Sequence, residues 1–282
     1  MKMYIQVVIY EKNMRDSLTL QTLLSQRMPI YNEHLNFTLY IDDNSPESKL
    51  DEVFLECLRK KYSVSYVHDP TNRTLREIYN ERISNLNEEE FLLLLDDDTC
   101  LPKAYLADFL RAYGDCKEIN LFLPQVQAGG GLYSPYYSYV FFSRKLKKVK
   151  VGINSSKHIA AINSGMIIRG AFFIKSGFRY PDIVDFYGTD TVFSHEFSKY
   201  ENSYFLLDSV LVHDISNHPS NNSVGQYSSI LYKVNVFWFR FLKERPLLLF
   251  LYAIYMFFYS VKMAMKFKNF IFIKHAIKLL TK

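Results

Sequence analysis

Leu92-Leu93-Leu94-Leu95-Asp96-Asp97-Asp98-Thr99 is an unbroken leucine run that ends in three consecutive carboxylates. Four large apolar residues without alternation fit a fully buried strand of the kind a parallel sheet carries. Three acidic groups at its end repel one another unless something positive answers them. In extended backbone, Asp96 and Asp98 project to the same side, which suits a divalent cation shared with a diphosphate. The competing reading is a solvent-facing turn in which Asp98 or Thr99 caps the following helix.

Working outward from this run, apolar stretches rich in β-branched and aromatic residues alternate with helix-period segments. Strands are expected at Tyr4–Tyr10, Phe37–Ile41, Val64–Val67, Phe91–Leu95 and Asn120–Leu123, and helices around Leu18–Gln26, Leu50–Lys61, Leu75–Leu86 and Ala104–Tyr113. That is the pattern of successive βα units, an α/β fold with a mainly parallel sheet flanked by helices. Ala128-Gly129-Gly130-Gly131 breaks the rhythm, and Tyr133–Lys150 reads as a loop or hairpin insertion. Regular structure resumes with a strand at Met166–Ile168, helical segments at Ala171–Ser176 and Thr191–Tyr200, and a strand at Tyr204–Val212. Ligands of open α/β sheets bind beyond the carboxyl ends of the strands, so the polar residues there are the candidates for chemistry. Ile41-Asp42-Asp43-Asn44-Ser45-Pro46 is a second acidic strand end, where a carboxylate suits a nucleobase or ribose and where a plain turn is the alternative.

The chain has 282 residues, 49% hydrophobic and 22% charged, enough apolar material for one sizeable core and too much for disorder. Net charge is only +5, with basic residues gathered at Arg144, Lys145, Lys147, Lys148 and Lys150 and in the C-terminal tail. No nucleic-acid motif accompanies them, so no nucleic-acid partner is expected. Cys57, Cys100 and Cys116 lack the spacing of a disulfide framework or a zinc site, which fits a reducing cytosol. The first ten residues carry no small-residue cleavage site and read as a strand rather than a signal peptide.

The ordered set Val7-Val8-Ile9-Tyr10, Asp43-Asn44-Ser45, Asp96-Asp97-Asp98, Asn163-Ser164-Gly165-Met166, Thr189-Asp190 and His213-Asp214 resembles the inverting glycosyltransferases of family 2. It is most similar to their bacterial rhamnosyltransferase and galactofuranosyltransferase branch, and the resemblance covers about the first three quarters of the chain. It implies the Rossmann-like GT-A fold and a metal-dependent transfer of a sugar from a nucleotide diphosphate, dTDP-rhamnose or a UDP-sugar, to a glycan acceptor in cell-surface polysaccharide synthesis. Tyr10 and Asp43 would line the nucleoside pocket, Asp96 and Asp97 would meet the nucleotide, Asp98 and His213 would hold Mg2+ or Mn2+, and Asp190 would be the general base. The acceptor it implies is a glycan on a polyprenyl lipid. Two departures stand out: Glu11 replaces a small polar residue common in the family, and Gly188-Thr189 lacks the acidic neighbour that often precedes the base. From the residues alone, Asp190 reads first as a helix N-cap, and His213 as a structural histidine or a metal ligand. Arg73 and Arg76 suit a diphosphate or surface ion pairs, and the glycine run a close backbone approach or a flexible loop.

These features divide the chain into a catalytic domain over 1–218 and a helical, aromatic and basic region over 219–282. Within the first, 1–125 is the nucleotide-binding half and 126–218 the acceptor side. From Pro246 to Val261 the tail is almost wholly apolar, short of the roughly 20 residues a spanning helix needs. With the lysines that follow, it suits a helix lying in the interface at the cytoplasmic face of a membrane; a true span, or a helix packed on the catalytic domain or on a second copy in a homo-oligomer, are the alternatives. Two other functions compete. A nucleotidyltransferase would carry a glycine-rich phosphate loop after the first strand, which Tyr10–Arg15 lacks, and a non-catalytic membrane scaffold would not need Asp96, Asp98, Asp190 and His213 together.

Overall fold

The computed structural model describes residues 1–27, 35–128, 131–146, 149–213 and 223–281, with residue 213 described by its backbone. Its first half runs β1 (Lys2–Ile9), α1 (Leu18–Leu24), β2 (Asn36–Asp43), α2 (Glu52–Arg59), β3 (Ser63–His68), α3 (Leu75–Ser84) and β4 (Phe91–Leu95), the expected strand and helix units. Each of these helices starts where a short polar residue meets an orphan amide. Ser17, Asp51 and Thr74 accept from the amides of Leu20, Phe54 and Glu77, and Thr74 with Glu77 closes a capping box.

The second half contains β5 (Thr99–Cys100), α4 (Tyr105–Asp115), β6 (Leu121–Ala128), β7 (Gly131–Ser134), β8 (Tyr136–Tyr139), β9 (Phe142–Lys145), β10 (Gly152–Ser155), β11 (Ile159–Ala160), β12 (Met166–Arg169), α5 (Gly170–Ser176), α6 (Thr189–Tyr200) and β13 (Ser203–His213). The large sheet has the order β10-β13-β6-β12-β4-β1-β2-β3, with β5 on β13 and β7 on β6. Strands β3, β2, β1, β4, β6 and β13 run one way, and β12 and β10 the other. The α/β class with a mainly parallel sheet is therefore as expected. The segment after the glycines is a hairpin: β8 pairs with β9 and with β11 in a small second sheet. These strands are too short and too exposed to leave a periodic apolar trace. Gly129 and Gly130, and Lys147 and Lys148 of the basic cluster, lie outside the described residues.

Central position explains the leucine run. Strand β4 is hydrogen-bonded along both edges, to β1 and β12, and Leu92–Leu95 are each at most 2% exposed, so the side chains on both of its faces are buried. Register then aligns the strand ends: Val7 lies opposite both Ile41 and Leu95, and Ile9 opposite Asp43. Tyr10, Asp43 and Asp96 therefore emerge at one edge of the sheet, on either side of β1, from which the chain leaves for β2 in one direction and arrives at β4 in the other.

Two compact units are present, one of residues 1–180 and 189–214 and one of 181–188 and 215–282. The second contains α7 (Val224–Phe241), α8 (Pro246–Phe267) and α9 (Ile271–Leu280). Tyr227, Met263, Ala264 and Phe272 form a buried cluster within it, and the Tyr252 hydroxyl of α8 donates to Asn235 Oδ1 of α7 at 2.6 Å. Gly188 (φ +88°) belongs to this unit, and a Cβ there would stand 2.4 Å from the Phe237 ring, so only glycine fits. The shortfall in length read from the apolar stretch is corrected: the helix runs on past Val261, through Lys262 and Lys266 to Phe267, because an isolated lysine is a good helix former, and by length and composition its 22 residues are enough to cross a membrane. The helix ends at Lys268, which turns into the left-handed region (φ 49°). Residues 214–222, including Asp214 and the start of the region expected to be helical after His218, lie outside the described residues.

Candidate active site

The acidic turn after β4 is held from below by the start of α1. Thr19 Oγ1 accepts from the Thr99 amide at 2.9 Å and donates to the Asp96 carbonyl, while the Ser17 hydroxyl donates to the Asp97 carbonyl at 2.8 Å. Thr19 is fully buried. With the backbone satisfied in this way, the carboxylates are left for other partners. Residues 97 and 98 form a turn rather than extended backbone, so the expected alternation of Asp96 and Asp98 does not hold. Asp96 accepts from the Ser164 hydroxyl, and Asp97 Oδ1 pairs with Lys12 Nζ at 2.8 Å. The capping alternative fails as well, since α4 begins only at Tyr105, after Ala104.

Ser164 is delivered by a tight turn into β12, where Gly165 (φ +84°) leaves no room for a side chain: a Cβ would lie 2.5 Å from Leu211. The neighbouring Asn163 donates through Nδ2 to Thr189 Oγ1 at 2.8 Å, which ties this turn to the first residue of α6. Asp190 follows. It sits within the first helical turn rather than at the N-cap and accepts from the Thr191 amide at 2.7 Å. Burial raises its pKa above the ordinary 3.8 and Asp96 adds to the rise, against the Thr191 hydrogen bonds, which act to lower it. Two carboxylates 94 positions apart in sequence thus share one electrostatic environment. Four tyrosines line it. Burial is the main reason their hydroxyls ionise less readily, and the charge on Asp190 contributes to the rise at Tyr79, Tyr133, Tyr136 and Tyr180. Reading the sequence did not single out these tyrosines, because they come from α3, β7, β8 and the loop after α5, with no common spacing.

On the other flank, Ile9 and Asp43 lead into the candidate nucleoside side. Tyr10 is 47% exposed. Glu11 takes a left-handed conformation (φ 51°), with its amide held at 2.8 Å by Ser45 Oγ. Asp43 is fully buried. Its carboxylate accepts from the amides of Ser45 (3.0 Å) and Lys49 (2.6 Å) and from the Tyr66 hydroxyl (2.5 Å). Burial alone would raise its pKa; the Ser45 and Tyr66 side chains and the backbone amides overcome that and hold it below the usual carboxylate value. Asp43 therefore shapes the loop beside Tyr10. Arg73 is engaged by Glu81 at 2.5 Å and by Asp42 at 3.7 Å, and Arg76 lies 3.9 Å from Glu77.

Strand β13 returns to the acidic turn through a two-residue ladder in which His213 is the register partner of Thr99 and Val212 that of Cys100. This pairing puts the backbone of residue 213 beside the residue that follows Asp98. The histidine side chain lies outside the described residues. Among the described residues, no group of three or more acidic, histidine or cysteine side chains is arranged to hold a metal ion.

No family model matches this sequence, and no curated protein matches it. Solved structures do. GalNAc-T7 with UDP, GalNAc and Mn2+ superposes with a TM-score of 0.58 at 13% identity, over 87% of this chain and 51% of that one. The fold is that of the GT-A glycosyltransferases. S. aureus TarS 1–349 in complex with UDP-GlcNAc gives a TM-score of 0.49 at 17% identity, over 84% of this chain and 66% of that one. This GT-A chain thus spans less than two thirds of the length of either protein.

Proposed function

We propose that the protein is a metal-dependent inverting glycosyltransferase that moves a sugar from a nucleotide diphosphate onto a glycan hydroxyl, with a dTDP-rhamnose or UDP-sugar donor and an acceptor of cell-surface polysaccharide synthesis. One observation carries this reading: the Asn163-Ser164 turn holds Asp96 through Ser164 and the start of α6 through the Asn163–Thr189 bond, which brings Asp96 and Asp190 within electrostatic reach, and Asp190 is raised in pKa by burial and by Asp96. A carboxylate poised in this way is suited to take a proton from an acceptor hydroxyl. Inversion needs that hydroxyl in line with the anomeric carbon, and α6 holds the base in one place for it. On the donor side, Tyr10 and the loop organised by Asp43 would receive the nucleoside, with Asp96 and Asp97 toward the ribose and diphosphate. Asp98 with His213 supplies a carboxylate and an imidazole, a donor set that suits Mg2+ or Mn2+. Bound there, such an ion would stabilise the charge of the departing diphosphate.

A thermal-shift series tests the proposal. UDP, UDP-GlcNAc and dTDP-rhamnose are each added with Mn2+, Mg2+ or EDTA. At least one nucleotide should raise the Tm in a metal-dependent way, the gain in unfolding free energy being about 2.7 kcal/mol at a hundredfold excess over Kd. No shift with any nucleotide across a wider donor panel would remove the assignment.

The same reading puts the enzyme on a membrane surface, facing an acceptor that is polyprenyl-linked. Helix α8 buries Tyr252, Met256, Ser260, Met263 and Ala264 and exposes Leu247, Phe250, Leu251, Ile254 and Phe258. Its neighbours carry exposed Lys233, Lys243, Lys274 and Lys278. A spanning arrangement would take those charges into hydrocarbon, so an in-plane helix with lysines toward anionic headgroups is favoured. Phe250→Glu with Phe258→Glu should move the full-length protein from sedimented anionic vesicles to the supernatant. Unchanged co-sedimentation would exclude this face as the contact.

A further inference from the structure

The wall between α3 and α6 contains two buried polar atoms that, among the described residues, meet no hydrogen-bond partner: the Tyr180 hydroxyl and Asn163 Oδ1. Tyr180 is 2% exposed and Asn163 8%. Both are held firmly. The Tyr180 amide donates to Asn80 Oδ1 at 2.8 Å and its carbonyl accepts from Asn80 Nδ2 at 2.9 Å, a two-point clamp from α3. Its ring packs against Tyr79 at 5.6 Å and Phe178 at 5.0 Å, and Phe178 in turn meets Phe193 of α6 at 6.0 Å, one turn beyond Asp190. Asn163 is oriented by its bond to Thr189, immediately before Asp190, and its amide lies beside the Tyr79 hydroxyl.

A buried hydroxyl or amide oxygen without a partner costs free energy that a ligand or an ordered water recovers. In a packing wall, phenylalanine and a small apolar residue would serve better. Here the donor and the acceptor flank the carboxylate assigned as the base, and a sugar presents vicinal hydroxyls that both donate and accept. We infer that Tyr180 and Asn163 form a subsite for a hydroxyl group of the reacting sugar, and that Tyr180 determines which sugar the enzyme accepts. This inference rests on the glycosyltransferase reading. The hydroxyl can belong to the donor hexose or to the acceptor, and the experiment separates the two.

Tyr180→Phe keeps the ring and removes only the oxygen. Its Tm should equal or exceed that of the wild type, because an unsatisfied group has been deleted, whereas kcat/KM for UDP release with alkyl hexoside acceptors should fall about tenfold. If UDP binds the variant normally and UDP-GlcNAc, or whichever donor the wild type accepts, binds more weakly, the hydroxyl is the donor's. If donor binding and donor hydrolysis without acceptor are unchanged and only transfer falls, it is the acceptor's. Unchanged binding and unchanged transfer would show that a water alone satisfies Tyr180 and would overturn the inference while leaving the enzyme assignment standing. A wild-type protein that neither binds nor turns over any nucleotide sugar would overturn both.

Discussion

Asp190→Asn is expected to lower sugar transfer by about 10²–10⁴-fold, the range that a positioned general base supplies, while the shift in Tm with nucleotide sugar stays close to that of the wild type. Asparagine keeps the shape and can still accept from the Thr191 amide, but it cannot take a proton. The same substitution should make the protein more stable at neutral pH. Asp190 has its pKa raised on folding, by burial and by Asp96, so between its ordinary value of 3.8 and the raised one the native state binds more protons than the unfolded state. Its contribution is therefore fully present below the ordinary value and is lost as pH rises through the raised one, leaving a destabilising buried charge above. The rate of transfer should run the opposite way and fall as pH drops through the raised pKa. An Asn variant that transfers sugar at the wild-type rate would end the assignment of Asp190 as the base, whatever its stability.

Arg82→Met is expected to cost about 3–5 kcal/mol, read from urea unfolding, because it leaves a buried carboxylate without its main counter-charge. Arg82 is 5% exposed. It donates to Gln6 Oε1 at 2.7 Å, to Asp42 Oδ2 at 3.0 Å and to Glu81 Oε1 at 2.7 Å, and its guanidinium lies 4.0 Å from the Tyr40 ring centroid. Gln6 is on β1, Asp42 on β2 and Arg82 on α3, so the network joins the strand that leads into Tyr10 and the strand that ends in Asp43 to the helix that carries Tyr79. Substituting Asp42→Asn in the Arg82→Met background should recover part of the loss, since the stranded charge is then gone. A single-variant loss below about 1 kcal/mol would mean that water reaches Asp42 and that the network is not the clamp the distances describe.

Local signals were legible in the sequence to the extent that their physics is local. The strand at Phe91–Leu95 has the expected bounds, because five large apolar residues in a row leave little else to do in water. Thr74 and Glu77 lie three apart, so the start of α3 could be read as well. The hairpin strands β8 and β9 could not, since each is four residues long and mostly exposed. Asp190 illustrates the limit. Taken alone it looked like a helix cap, and the resemblance to a family was needed to suggest a base; the structure shows it one residue inside the helix, facing buried tyrosines. For Arg73 the sequence leaves a diphosphate and an ion pair both open, and Glu81 and Asp42 engage it, which is the ion-pair reading. Arg82, which binds Asp42 more closely, drew no notice because its partners are 40 and 76 residues away.

By itself, the order of apolar runs, turns and caps determined an α/β sheet with acidic residues at its strand ends, because hydrophobic period and capping act over a few residues along the chain. Only the tertiary structure decided what those acids face: that Asp43 is consumed by its own loop, that Asp96 and Asp190 share one environment, that β13 returns residue 213 to the side of Thr99, and that the Tyr180 hydroxyl is walled in with no partner among the described residues. Charge repulsion, burial and hydrogen-bond satisfaction depend on distance in space, and distance in sequence does not fix it.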